Sequence, residues 1–171
     1  MAKTQQFASI LGETYTVVRN VYGRPGREPR QPGPSGDVDF QKGAHRRFVV
    51  ADALAWTITR DLTALGLTWD EAAPLVRRER VADAMMVEGI ELTGQLFAAW
   101  VIQTDKGHET AAWRGSVSEI ADLIAHDQEG GSVLAVRMIS LKASFETAVR
   151  KAADAGFEFI EGEFRAIEDE E

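Results

Sequence analysis

Residues 43–76 read GAHRRFVVADALAWTITRDLTALGLTWDEAAPLV, a basic turn, a helix, a glycine stop and the start of a second helix within 34 residues. The helix is predicted from about Val50 to Ala64. Ala51, Leu54, Ile58, Leu62 and Leu65 recur at three- and four-residue steps and define an apolar face, with Asp52, Thr59, Arg60 and Asp61 falling to the other sides. Gly66 follows, a residue tolerant of positive φ where a helix must stop. Thr68 is the expected N-cap of the next helix, and Glu71 three residues on completes a capping box around Trp69 and Asp70.

Working outward toward the start, residues 5–22, QQFASILGETYTVVRNVY, divide at Gly12. Phe7, Ala8, Ile10 and Leu11 supply apolar contacts to a first short helix. Thr14 is placed to cap a second, in which Val17, Val18 and Val21 lie on one side. That is helix-turn-helix geometry at minimal length. The same residues, TYTVVRNVY, also satisfy a β-strand on propensity, so both readings stand at this point.

Two sets of residues together resemble a known family. Gly43, His45-Arg46-Arg47-Phe48, Asp52 and Leu62…Leu65-Gly66-Leu67-Thr68…Glu71 are similar to the signature after the wing of MerR-type winged helix-turn-helix regulators. Phe7-Ala8-x-Ile10-x-Gly12…Val18-Arg19 matches that family's apolar-Ala-x-apolar-x-Gly…Leu-Arg pattern. The resemblance covers residues of about 5–78. It implies that Thr14 to Tyr22 is a recognition helix, with Thr14, Tyr15, Thr16, Arg19 and Asn20 on its DNA side.

Between Gly23 and Gly43 lie four of the chain's five prolines and five of its glycines, which excludes a regular helix there. The resemblance makes residues 23–43 the wing, with Arg24, Arg27, Arg30, Lys42, Arg46 and Arg47 along the phosphate backbone and His45 in an aromatic slot that packs or touches phosphate. The stretch is longer and richer in proline than the family's usual spacer. A flexible linker with solvated arginines is the alternative.

Charge is distributed unevenly enough to fit such a division. The formal net charge is −8, yet residues 1–80 carry 12 Lys and Arg against 9 Asp and Glu, and residues 81–171 carry 7 against 18. The local field matters more to phosphate contact than the global sum. The basic end is therefore the candidate nucleic-acid surface.

Beyond Thr68 the helical register continues through Leu75, Val81, Ala82, Met85 and Met86, with a kink or a fresh start expected at Pro74. Gly89 and Gly94 interrupt any heptad, so the family's coiled-coil dimer helix is not legible here. From about residue 90 the pattern changes. Leu96–Gln103 and Glu109–Arg114 read as a hairpin around Thr104 to His108, with Trp100 and Trp113 as a possible cross-strand pair. Ser116 or Ser118 caps a helix with Val117, Ile120, Leu123 and Ile124 on its apolar face, stopped by Gly130-Gly131. SVLAVRMISLK is a third strand, ASFETAVRKAADAGF a helix capped by Ser144 and closed by Gly156, and EFIEGEFRAI a strand or tail. The expected fold is α+β: a winged helix-turn-helix domain over 1–88, then an acidic β-β-α-β-α domain over 90–171.

Chemistry is sparse. The chain has no cysteine, which removes disulfides, thiolate metal sites and cysteine nucleophiles. His45, His108 and His126 share no metal-ligand spacing, and no GxSxG, Walker or GxGxxG motif occurs. Neither catalytic residues, a metal nor a cofactor is expected, so the chain is read as a non-enzyme. Without an apolar run of about 18 residues or a charged n-region, neither membrane span nor signal peptide is expected, and the cytoplasm is the expected compartment. The expectation is a sequence-specific regulator acting on double-stranded DNA as a homodimer. A protein-interaction module using the helix pair as scaffold, and a small-molecule sensor working through the C-terminal half, are the competing readings.

Overall fold

The computed structural model describes residues 3–22, 33–34, 48–78, 92–160 and 163–167. Helices α1 (Thr4–Leu11), α2 (Tyr15–Tyr22), α3 (Val50–Ala64) and α4 (Trp69–Arg78) come first. Strands β1 (Leu96–Thr104) and β2 (Gly107–Gly115), helix α5 (Val117–Gly130), strand β3 (Ser132–Ser140), helix α6 (Leu141–Asp154) and the short strands β4 (Phe157–Ile160) and β5 (Glu163–Ala166) follow. The chain is thus mixed α+β. Residues 23–32 and 35–47, which hold nearly all of the expected wing, and the helical register expected through Val81 to Met86, lie outside the described residues.

Helix α3 is the centre of the molecule. Two of its four expected polar positions, Asp52 and Thr59, do not face solvent, because every residue from Val50 to Thr59 is buried, whereas Arg60 is exposed and Asp61 half-buried. The cause is that α3 packs on two sides at once. Val50, Ala53 and Trp56 join Phe7, Ile10, Val18 and Tyr22 in one cluster, while Leu54, Ala55, Ile58 and Leu62 join Phe97, Ile139 and Leu141 in another. Burial of polar groups is tolerated when they are hydrogen-bonded. Asp52 Oδ2 accepts from the Val49 N–H at the helix start (2.9 Å), and the Thr57 and Thr59 hydroxyls donate to the carbonyls one turn back, Ala53 (2.9 Å) and Ala55 (2.8 Å).

The stop after α3 takes the expected form. Gly66 has φ 101°, its N–H donates to Thr63 O (3.0 Å), and the Leu67 N–H reaches Leu62 O (3.2 Å). Those two bonds are the Schellman pair that closes a helix on a left-handed residue. Leu65 O is taken by Arg137 Nε from β3 (2.7 Å), so the sheet contributes to the cap. Thr68 and Glu71 form the expected box: Glu71 Oε2 accepts from the Thr68 N–H and hydroxyl, both at 2.7 Å, and the Glu71 N–H donates back to Thr68 Oγ1 at 3.3 Å. Helix α4 then runs through Pro74 to Arg78.

The Thr68 hydroxyl, followed by its backbone N–H, holds the Glu71 carboxyl below its ordinary range. A carboxyl depressed in the folded state stabilises above its unfolded pKa, and the gain is lost as pH falls through the folded value. Thr68→Ala should cost about 1 kcal/mol near pH 7. Urea unfolding followed toward acid pH, as Glu71 becomes protonated, should show a shrinking difference between the two proteins; an equal or larger one there would disprove the coupling.

The sheet order is β2-β1-β3, antiparallel throughout. One face, with Phe97, Ala99 and Ile139, lies on α3 and α4; the other, with Ala98 and Trp100, lies under Ile120 of α5. Trp100 and Trp113 share that second face but do not pair directly. Trp100 stands opposite Ala111 and Trp113 opposite Ala98, because the strands extend to enclose a two-residue turn, Asp105-Lys106. Trp100 Nε1 instead donates to Asp127 Oδ2 of α5 (2.7 Å).

Ser116 caps α5, accepting from the Glu119 N–H. The cap of α6 is Ser140, not the expected Ser144, since β3 passes into the helix without a loop. Ser144 is buried one turn further on, and its hydroxyl donates to Asp61 Oδ2 of α3 (2.9 Å). β4 and β5 pair antiparallel, and Phe164 of β5 joins Ala148 and Ala152 of α6 in the same cluster as Phe7 and Trp56. Elements on both sides of residue 90 therefore share both large clusters.

Candidate nucleic-acid interface

Of the two readings of residues 14–22, the helix is the one formed. Val18, Val21 and Tyr22 are buried, against Phe7 and Phe48 on one side and Trp56 on the other. Tyr22 sits edge-on to Phe48 at 5.0 Å between ring centroids and stacks on Trp56 at 5.9 Å. Apolar contact outweighs β-branched propensity here, as tertiary packing commonly does. Thr14 Oγ1 accepts from the Val17 N–H at 3.4 Å, the expected cap.

The turn before α2 is tight and held from three directions. Gly12 has φ 68°, with its own N–H on Ser9 O and the Glu13 N–H on Ala8 O. Arg60 Nε of α3 pairs with Glu13 Oε1 at 3.2 Å, and Lys151 Nζ of α6 donates to Leu11 O at 3.2 Å, where the α1 carbonyls end. Neither Arg60 nor Lys151 stands out in the sequence. Their partners are 47 and 140 positions away, and no periodicity or motif links them.

Opposite its buried side, α2 shows an arc of Tyr15 (46% exposed), Thr16, Val17, Arg19 and Asn20, the last two half-buried. Arg19 lies over the Tyr15 ring at 5.3 Å from its centroid, one helical turn along. This arc brings together hydroxyls, an amide and a guanidinium, the groups that read base edges and phosphates. Thr14, Tyr15, Thr16, Arg19 and Asn20 are thus assembled on the outward side of α2 and its cap. Arg24, Arg27, Lys42, His45, Arg46 and Arg47 lie outside the described residues.

Other chemistry is limited. No group of three or more His, Cys, Asp or Glu able to hold a metal occurs among the described residues, and none of their helices is long and apolar enough to cross a membrane. A hollow of about 110 Å³ between Gly66, Glu71, Trp100 and Arg137 is smaller than the ~300 Å³ at which ordinary ligand pockets begin. No protein-family model matches the chain, and no curated protein matches it significantly.

Proposed function

We propose that the chain is a sequence-specific, MerR-like DNA-binding regulator that acts in the cytoplasm as a homodimer and reads the major groove with α2. The observation that carries this reading is the α2 arc: a short helix pinned by Gly12, Arg60 and Lys151, its apolar side buried and its Tyr15-Thr16-Arg19-Asn20 side outward. A recognition helix needs such an arrangement, because side chains must reach base edges from a backbone that does not yield. Arg19 pairs with guanine or a phosphate and Asn20 with adenine. Arg24, Arg27, Lys42, His45, Arg46 and Arg47 position the protein on the backbone, and the acidic second half faces away from it.

Selection from a pool of randomised duplexes at two salt concentrations tests this. An enriched inverted repeat is expected. Arg19→Ala or Asn20→Ala should alter the preferred sequence at a cost of about 1–3 kcal/mol, whereas Arg46→Ala and Arg47→Ala should weaken all sequences alike and each lower the salt slope by about one. Binding unchanged in all four variants would refute the proposal, as would no enrichment at low salt.

A further inference from the structure

One residue of the α2 arc does not share its chemistry. Among Tyr15, Thr16, Arg19 and Asn20 stands Val17, a wholly apolar side chain that is 38% exposed while its neighbour Val18 is fully buried. A single exposed valine ordinarily needs no explanation. Three features of its placement set this one apart. It lies in the first turn of α2, the part of a recognition helix that contacts base edges. Its backbone is fixed at the helix start, because the Val17 N–H donates to Thr14, to the carbonyl at 3.1 Å and to the hydroxyl at 3.4 Å. A β-branched side chain in a helix also keeps essentially one χ1 rotamer, so both methyls point in a fixed direction.

We propose that Val17 reads thymine by closing on its C5-methyl group in the major groove, on the base pair next to the one Asn20 reads; this rests on the DNA reading of α2. Asn20 is three residues on, so the two side chains lie about 60° apart around the helix and about 4.5 Å apart along it. Base pairs are spaced by about 3.4 Å. An amide beside a branched apolar group therefore suits two adjacent A·T pairs. The amide takes N6 and N7 of adenine, and the methyls take the apolar group that only thymine displays in the major groove. The other three bases offer polar edges there, and the methyls of Val17 would leave a donor or acceptor unsatisfied against them. Tyr15 and Arg19, which lie against each other, project about 160–200° away around the helix and do not screen Val17.

Deoxyuridine tests this, because its base differs from thymine only by the missing methyl group. The duplex enriched from the randomised pool is resynthesised with deoxyuridine in place of one thymidine at a time, and each version is titrated with the full wild-type chain and with Val17→Ala. Wild type should lose about fourfold in affinity, the worth of one buried methyl group, at the position next to the pair whose preference Asn20→Ala relaxes. With Val17→Ala the two duplexes should bind alike. Alanine is the better helix former, so the change does not weaken α2, and a purely structural role for Val17 would alter affinity for both duplexes equally. An enriched site with no thymine at that position, no loss there on removing the methyl, or a loss that persists in Val17→Ala, as contact through the Thr16 methyl would give, would each overturn the proposal. All three outcomes require an enriched duplex and so leave the DNA reading standing, whereas a pool without enrichment removes both.

Discussion

Replacing Trp56 by alanine should cost about 3–5 kcal/mol, the range for removing a large aromatic from a core. Typical domains hold only about 5–15 kcal/mol in total. Trp56 is 1% exposed and lies where three elements meet: Tyr22 of α2 stacks on it, Trp69 of α4 is tilted against it at 4.7 Å, and its backbone belongs to α3. The cavity could not close without moving α2, whose seat is Tyr22. Yet the indole has one unfavourable feature: among the described residues its Nε1 finds no hydrogen-bond partner. An unmade buried bond costs about 1–3 kcal/mol. Trp56→Phe therefore removes a penalty together with part of the ring, and its loss should be well below half that of Trp56→Ala. Urea denaturation of both variants, followed by circular dichroism, checks this. Equal losses would mean that a phenyl ring recovers none of the stability and that the whole indole, with Nε1 satisfied in solution, is what the site requires.

The same residue shows what sequence could and could not disclose. Helix α3 was legible to the residue, Val50 to Ala64, because its period, Gly66 and the Thr68–Glu71 box are local signals. That it would be buried all round was not. Asp52 and Thr59 read as solvent positions, and only the presence of cores on both sides of α3, one built with α1, α2 and α6 and one with the sheet, puts them inside. The cap of α6, expected at Ser144 and formed by Ser140, was misplaced for a similar reason. Both are good caps by residue type, and the choice was made by the end of β3 and by an acceptor on α3, Asp61, 83 positions away.

The candidate site divides along the same line. Its solvent arc followed only in part. Gly12 marked the turn, but of Val17, Val18 and Val21, expected on the apolar side, Val17 is 38% exposed on the arc. Tyr22 is buried instead, because the seat between Phe48 and Trp56 is aromatic. The Arg60–Glu13 and Lys151–Leu11 ties that hold the turn are tertiary, so one-dimensional periodicity carries no trace of them. Trp100 illustrates the converse. Its strand was clear, but its partner depended on the length of a turn, and two enclosed residues were enough to offset it from Trp113.

Residues 1–90 expressed alone should fail to unfold cooperatively, although the helix-turn-helix signature lies wholly within them. Both sides of α3 are completed from beyond that point. Ala148 and Ala152 of α6 and Phe164 of β5 close the cluster around Phe7 and Ile10, and Phe97, Ile139 and Leu141 close the one around Leu54 and Ile58. Burying a large apolar side chain fully contributes about 1.5–3 kcal/mol. Four such residues, Phe97, Ile139, Leu141 and Phe164, together supply about 6–12 kcal/mol, comparable to the whole stability of a typical domain. The fragment also loses the Ser144 bond to Asp61 and the Lys151 bond that caps α1. Trp56 and Trp69 both remain in it, so their fluorescence reports directly on the core. In the full chain it should show a sigmoidal urea transition; in the fragment, a solvent-exposed spectrum and a gradual slope. A sigmoidal transition of the fragment would show that α1 to α4 carry their own stability. If instead the fragment is unfolded, the α2 arc exists only while α6 and the sheet hold α3 in place. DNA binding by the arc would then be lost with Ala152→Asp, a substitution on α6, which buries a carboxylate against α1 without altering any α2 side chain.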